Sequence, residues 1–428
     1  MTREFAFDTR VLSQALEQPP AGASLEQIAA AGPLDPTVPL MALGGGANGV
    51  AVARNLGRLG VRISAAGGPG AWATRSNACV ASYRQPRGVS LADFWRDLLL
   101  SEDRRFDGHV LLPLCDDSIT FVCHHHEALS ARYLLESFDP ALRLAMLDKR
   151  ETLVRARDVG VPVPKFWEVA SLTDLDHLAD ELVFPLMIKP IHSHLFVPVF
   201  GRKLFIIESG IDAVREKLAL AFSHGLEVML VEMIPGPDDL LSSYNTYVDG
   251  AGGRLFEYTK CVVRRYPVNR GGGTYHRSIW LPETAEMGRR FFDGLGWRGM
   301  GNVEFKRDPR DGKLKVIECN PRLTAAQALA VASGVPTDEL IYRSITGQHV
   351  WRATQVAEDV RMLAFIRDAM AFLELRRRGE LNLAGWLRSL LEGRKVPNLF
   401  RLHDPMPGLV NLMQSLSRAL KKTWRSLG

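Results

Sequence analysis

At 428 residues the chain is long enough for two or three domains, and its 46% hydrophobic and 24% charged content is ordinary for a globular protein. No apolar run approaches a membrane span, MTREFAFDTR lacks an apolar signal core, and the five cysteines are scattered without a CxxC pair. A spanning protein, an exported one and a disulfide framework are therefore not expected, and a reducing cytoplasm is the expected setting. The net charge of +5 is uneven: from Arg376 onward there are eleven Lys/Arg against three Asp/Glu, so the body is near neutral and the tail basic. No nucleic-acid partner is expected of such a body.

Residues 1–37 read as an extension with one helix over Val11–Glu17 and a loop-like PPAGAS patch. An apolar strand, Val38 to Leu43, then opens a βαβ unit. It empties into Gly44-Gly45-Gly46-Ala47-Asn48-Gly49 ahead of a helix ending at Gly57 or Gly60, with a second strand at Val61–Ala65. Gly44, Gly46 and Gly49 match G-x-G-x-x-G, which reads either as a phosphate-binding turn or as a tight turn with no dinucleotide. The second strand ends in Ala65-Ala66-Gly67-Gly68, without the acid that would hold a ribose, and this favours the second reading. Val110–Leu114, then Asp116-Asp117-Ser118 and a helix, continue the α/β rhythm. Asp116 and Ser118 are helix caps at a strand end that also faces ligand crevices. His124-His125-His126 spread over a helical face at roughly 100° per residue and cannot converge on one ion.

From about Leu142 the pattern changes. A helix around Lys149–Val159 ends at Gly160, and Phe184 to Pro190 form a short apolar strand that ends in Lys189. A lysine there is costly unless it meets an anion; the alternative is a snorkelled surface lysine. A second apolar strand, Glu227–Met233, runs into Ile234-Pro235-Gly236-Pro237-Asp238-Asp239. Strands at Leu241–Val248 and Arg254–Arg265 lead to RRYPVNRGGGTYHR. That loop is basic and glycine-rich: either an anion-binding segment over an active site or a flexible surface loop.

Gly301 to Arg322 read as a hairpin, with strands Asn302–Lys306 and Lys313–Asn320 joined by Asp308-Pro309 and Asp311-Gly312. A register centred on Asp311 sets Glu304 opposite Glu318, with Asn320 on the same face. Facing carboxylates destabilise a ladder, so either a cation sits between them or the face is simply solvated. Two carboxylates and an amide are an all-oxygen set that suits Mg²⁺. Beyond residue 350 the reading is mainly helical. From Gly408 a basic amphipathic helix carries Leu409, Leu412, Met413, Leu416, Leu420 and Trp424 on one stripe. It suits weak contact with an anionic membrane surface, or packing on its own domain or a sister subunit in a homodimer; packing is favoured.

In this order the pieces resemble the ATP-grasp superfamily over roughly residues 38 to 348. The hairpin EFKRDPRDGKLKVIECNPR is close to the version in carbamoyl-phosphate-synthase-like and predicted carboxylate–amine ligases. The resemblance implies an α/β protein with a Rossmann-like pre-ATP-grasp domain at 38–135 and a two-lobed α+β ATP-grasp domain at 136–348. Its lobes would divide near 232, and a basic helical C-terminal region would occupy 349–428. It further implies that Lys149 and Lys189 neutralise ATP phosphates, that Glu232, Met233 and Ile234 line the adenine pocket with backbone hinge contacts, and that Asp239 bonds the ribose. Glu304, Glu318 and Asn320 would bind Mg²⁺ (or Mn²⁺), and Arg322 would lie near the γ-phosphoryl group. The implied reaction phosphorylates a small-molecule carboxylate to an acyl phosphate, which an amine attacks, releasing ADP and phosphate.

Such an intermediate needs a lid against water. The segment His192-Ser193-His194-Leu195-Phe196, reaching to Lys203, stands where the family more often has a glycine-rich loop. Leu323-Thr324-Ala325 stands where an aromatic is frequent, so acceptor recognition is expected to differ. Arg264, Arg265 and Arg270 are candidates for holding the substrate carboxylate or the acyl phosphate. A small-molecule kinase and a nucleotide-binding regulatory or membrane-associated protein without turnover are the alternatives.

Overall fold

Short apolar runs build the first layer. The computed structural model describes residues 22–191, 193–202, 204–355 and 359–425. Strands β1 (Leu40–Leu43), β2 (Ile63–Gly67), β3 (Ala81–Arg84) and β4 (Val110–Pro113) form a parallel sheet in the order β3-β2-β1-β4. β1, β2 and β4 are buried along their whole length, as strands covered on both faces must be. The helix Ala47–Arg58 follows β1 through Gly44 and Gly45, both at positive φ. A Cβ on Gly44 would lie 2.3 Å from Cys115 Sγ, and one on Gly49 would lie 3.3 Å from the Gly44 carbonyl oxygen. Close packing of strand, turn and helix thus accounts for two of the spaced glycines. The helix expected over Val11–Glu17 lies outside the described residues, as do His192 and Lys203 at the ends of the expected lid.

The second sheet is small and antiparallel. Strands β5 (Phe166–Val169), β6 (Leu186–Pro190), β7 (Phe205–Ile207) and β8 (Val228–Glu232) take the order β5-β8-β6-β7. Ile188, Leu218 and Leu230 are fully buried between this sheet and the helix Ile211–Ser223.

The third sheet has eight strands: β9 (Leu241–Val248), β10 (Arg254–Tyr266), β11 (Gly272–Ser278), β12 (Gly299–Arg307), β13 (Leu314–Asn320), β14 (Ala353–Thr354), β15 (Val360–Leu363) and β16 (Arg394–Pro397). Its order is β13-β12-β9-β10-β11-β15-β16, with β14 alongside β10. The C-terminal region is mainly helical, as expected, through the helices Phe365–Arg377, Leu383–Leu391 and Met406–Arg425; the short strands β14, β15 and β16 are an addition to that reading. Strands of two to four residues are too short to show a period-2 pattern; β15 is fixed by long-range pairing on β11, and β16 by pairing on β15, rather than by local propensity.

One core joins the first layer to the third: Leu40, Leu56 and Val110 pack in the same cluster as Tyr247, Phe256, Leu329 and Leu340. The chain's end returns to the first layer. Buried Asp404 accepts hydrogen bonds from Arg54 (2.8 Å), the Ser76 hydroxyl (2.6 Å) and the Asn77 amide (3.1 Å). Trp72 Nε1 donates to Gln414 Oε1 in the last helix, Met406–Arg425, so the early part of that helix packs on its own chain. None of the described helices is long and apolar enough to cross a membrane.

Candidate active site

Strand register assembles the site. Across β10, β9, β12 and β13, Lys260 pairs with Ser243, Ser243 with Glu304, and Glu304 with Glu318. The next row on the same face is Tyr258, Asn245, Asn302 and Asn320. Glu304 therefore stands directly opposite Glu318, in the register expected from the sequence. Beyond it the ladder slips by one residue, Phe305 pairing with Val316, so the symmetry about Asp311 holds at the carboxylates and not at the turn.

Burial, then the charge of Glu318, raises the Glu304 pKa, while Lys260, Arg265 and Arg322 oppose the rise. Lys260 is itself buried and depressed, with Glu304 as its counter-charge. From the second sheet comes Lys189, 8% exposed, whose pKa burial lowers to about 8; Glu318 opposes this and Lys149 and Arg265 add to it. Lys149 is the first residue of the helix Lys149–Asp158, which Asp148 caps through the Arg150 and Glu151 amides.

Asn320 donates through its NH₂ to Asn302 Oδ1 (3.1 Å), and Asn302 donates in turn to Asn245 Oδ1 (3.0 Å). This chain orients the amide so that its Oδ1 is the atom left for a cation. Two facing carboxylates, one held partly against ionisation by the other, with an amide oxygen beside them, fit a hard divalent ion that takes its remaining ligands from phosphates. Among the described residues no group of three or more His, Cys, Asp or Glu could hold a metal, so an ion here depends on the amide and on oxygen from a ligand.

The junction between the second and third sheets is clamped by the hairpin. Lys306 Nζ donates to the carbonyls of Ile234 (3.0 Å) and Gly236 (2.8 Å). Arg310 at the turn bridges Glu232 (2.6 Å) and Asp308 (2.5 Å), and Glu232 also accepts from the Lys165 amide (3.0 Å). Burial and then Arg265 lower Lys306 to about 8, against the pull of Asp238, Asp239 and Asp308. The Met233 amide donates to the Pro185 carbonyl (3.0 Å), so a hinge contact from this residue would come from its carbonyl. The Ile234 carbonyl beside it is held by Lys306. Asp239 sits in the single turn Asp238–Leu240 beside them.

The three arginines separate. Arg265 pairs with Asp238 (2.5 Å), and its charge reaches Glu304 and Lys189. Arg264, its neighbour on β10, is buried and forked onto Asp368 through two 2.9 Å bonds, with Nη1 donating to the Ser389 hydroxyl. Arg264 is thus a structural arginine, not a substrate one, because its guanidinium is spent on a buried carboxylate. Arg270 is exposed at the tip of the β10–β11 loop. Arg322 reaches across to the first layer, Nε to Asp116 Oδ1 at 2.7 Å, at the start of the helix Asp116–His124.

Lys260, Lys306 and Arg310 were not singled out from the sequence. For Lys260 the signal was present: it is a lysine inside the apolar strand EYTKCVV, open to the cost argument that picks out Lys189.

No family model matches the chain. It is 25% identical to D-aspartate ligase of Enterococcus faecium (strain Aus0004) over 257 residues, 56% of this chain and 59% of that protein. It is 27% identical to the N-terminal section of the carbamoyl phosphate synthase large chain of Methanopyrus kandleri over 207 residues, 44% of this chain and 35% of that one. The chain thus spans little more than half the length of the first of these relatives and about a third of the second. Among solved structures it matches an ADP complex of N5-carboxyaminoimidazole ribonucleotide synthetase with a TM-score of 0.58 at 13% identity, over 76% of this chain and 80% of that one. It also matches the biotin carboxylase domain of Hydrogenobacter thermophilus 2-oxoglutarate carboxylase, solved with MgADP and bicarbonate, with a TM-score of 0.58 at 17% identity, over 75% and 73%. The chain has the ATP-grasp fold that the hairpin resemblance implied.

Proposed function

We propose that the chain is an ATP-dependent carboxylate–amine ligase. The observation that carries the reading is the row of Glu304 and Glu318 facing Lys189 and Lys149 across the junction of two sheets, with Asn320 and Arg322 at its edge. Phosphoryl transfer to a carboxylate needs neutralised charge and in-line positioning more than acid–base chemistry. The site is rich in the first and poor in the second. An oxygen of the substrate carboxylate attacks the γ-phosphorus, the bond between the β- and γ-phosphates breaks, and ADP leaves with the electron pair. The amine then adds to the acyl carbon of the mixed anhydride, and phosphate departs as the amide forms.

In this reading Lys149 and Lys189 balance the phosphate charge, Ile234 and Asp239 hold the adenosine, and Arg322 steadies the transferring group. Glu304, Glu318 and Asn320 would hold Mg²⁺, which when bound draws charge from the phosphoryl oxygens. Arg265 and Arg270 remain the residues for the second substrate. The ADP complexes of neighbours with this fold support nucleotide use, and the match to a D-aspartate ligase supports amide formation.

The test is ADP release with paired carboxylates and amines, and hydroxylamine as a trap. A hydroxamate is expected, because only an acyl phosphate gives one. Glu318→Gln should abolish ADP release, and release that survives the change refutes the metal assignment. ADP release without a hydroxamate would indicate a kinase.

A further inference from the structure

The helical hairpin that follows β15 has an outer face that its own core does not use. On its inner side the helix Phe365–Arg377 packs on β10 and β11, and the helix Leu383–Leu391 packs on it. Phe372 stacks on Trp386 with ring centroids 4.7 Å apart, Trp386 Nε1 donates to Asp368 (2.9 Å), and the Tyr275 hydroxyl donates to the Ser389 carbonyl (2.6 Å). On the outer side Ile366, Met370 and Leu373 stand at helical spacing, as do Leu383, Leu387 and Leu391 on the second helix. These six are between 36% and 87% exposed. Singly such residues are ordinary; a stripe on each helix of one hairpin is not.

Charge decides what fits the face. Between residues 365 and 395 there are seven basic residues against four acidic. Three of the acids are occupied by the chain's own arginines: Asp368 by Arg264, Glu374 by Arg378 and Glu392 by Arg361. Arg376, Arg377 and Arg388 are exposed, and Arg377 continues the spacing of Met370 and Leu373. A second copy docking isologously would set this cationic rim against itself. An anionic bilayer takes both parts at once, apolar side chains into the acyl boundary and arginines onto the headgroups.

We propose that this hairpin, rather than the last helix, is a docking face for an anionic membrane surface. The helix that carries the first stripe also holds the basic loop between β10 and β11. Arg367 donates to the carbonyls of Tyr266 (2.9 Å) and Gly272 (3.1 Å), and Glu374 accepts from the Val268 amide (3.2 Å). A docked hairpin would therefore hold the loop bearing Arg270 through the same helix that meets the lipid. The proposal stands whether or not the ligase reading does.

The test is co-sedimentation of the full chain with vesicles of phosphatidylcholine mixed with phosphatidylglycerol, and with phosphatidylcholine alone. Binding to the anionic vesicles only is expected, weakening as salt is raised. Leu387→Glu with Leu391→Glu, and separately Arg376→Glu with Arg377→Glu, should each lower the partition roughly tenfold or more. All four side chains are exposed, so thermal unfolding should be unchanged and serves as the folding control. No binding to the anionic vesicles overturns the proposal. Binding that survives both pairs of changes, and is lost on charge reversal of Lys421 and Lys422, overturns it in favour of the last helix. A concentration-dependent dimer by light scattering that Leu387→Glu abolishes overturns it in favour of a second copy.

Discussion

Replacing Lys189 by methionine tests the nucleotide half of the site through protons rather than turnover. Burial holds this lysine at about 8, well below its ordinary value, so keeping it charged below pH 8 costs about 3 kcal/mol. The sign follows from proton counting. Between pH 8 and the ordinary value the unfolded chain binds the proton and the folded chain does not, so this group's contribution to stability rises with pH there. A polyphosphate beside the amine removes the reason for the depression and returns the pKa to its ordinary range or above.

Binding of ADP in metal-free buffer at pH 8 should therefore take up about half a proton, nearly none at pH 6 and close to one at pH 9. Affinity should fall by about tenfold per pH unit above 8. Calorimetric titration in buffers of different ionisation enthalpy reads the uptake directly. In Lys189→Met the uptake should disappear and the affinity become flat with pH, apart from any part owed to Lys306, which is also lowered to about 8. Equal apparent enthalpies in all buffers for the unchanged protein, or full uptake persisting in Lys189→Met, would refute the placing of this lysine against the phosphates.

Lys306→Met removes two charge-assisted bonds to the hinge carbonyls and should raise the KM for ATP by roughly ten- to a hundredfold with kcat little changed; steady-state kinetics check this, and a fall confined to kcat would contradict the clamp. Arg264→Ala leaves Asp368 charged and buried without its partner. It should destabilise the fold by about 3 to 5 kcal/mol, seen as a lower urea midpoint. If the urea midpoint holds while the KM for the carboxylate rises, Arg264 meets substrate after all. Arg265→Ala should raise the KM for the carboxylate, and because it leaves buried Asp238 without its partner it should also lower the urea midpoint, so the KM is the readout that separates it from Arg264→Ala.

What was legible in the sequence is what local rules determine. The facing of Glu304 and Glu318 follows from strand alternation and a short turn, and the cost of burying an amine marks Lys189 without any knowledge of its neighbours. Where a second explanation already satisfied the local pattern, the role stayed hidden. The composition of Asp308-Pro309-Arg310-Asp311-Gly312 is fully accounted for as a turn, so nothing in it announces that Arg310 also grips Glu232 on the far side of the junction. Lys306 likewise reads as one more charge on a hairpin strand.

The pair Arg264 and Arg265 shows the limit most clearly. Neighbours on a strand face opposite ways, so at most one of them can look into the site, and alternation counted along β10 would in principle say which. Two register irregularities fall between Val262 and Arg265 and remove that count. What separates them is Asp368, 104 residues along the chain from Arg264 on a helix packed behind the strand. A bidentate carboxylate there consumes one guanidinium, and Asp238 at the junction holds the other next to the carboxylates and Lys189. The division of labour between two identical side chains is thus set by which acid the fold brings to each. It follows that the acceptor side of this site has to be mapped from how the acids tie its cations down. A guanidinium forked onto a buried carboxylate by two bonds, as Arg264 is, is not available to a substrate, whereas Arg265 meets Asp238 through Nε.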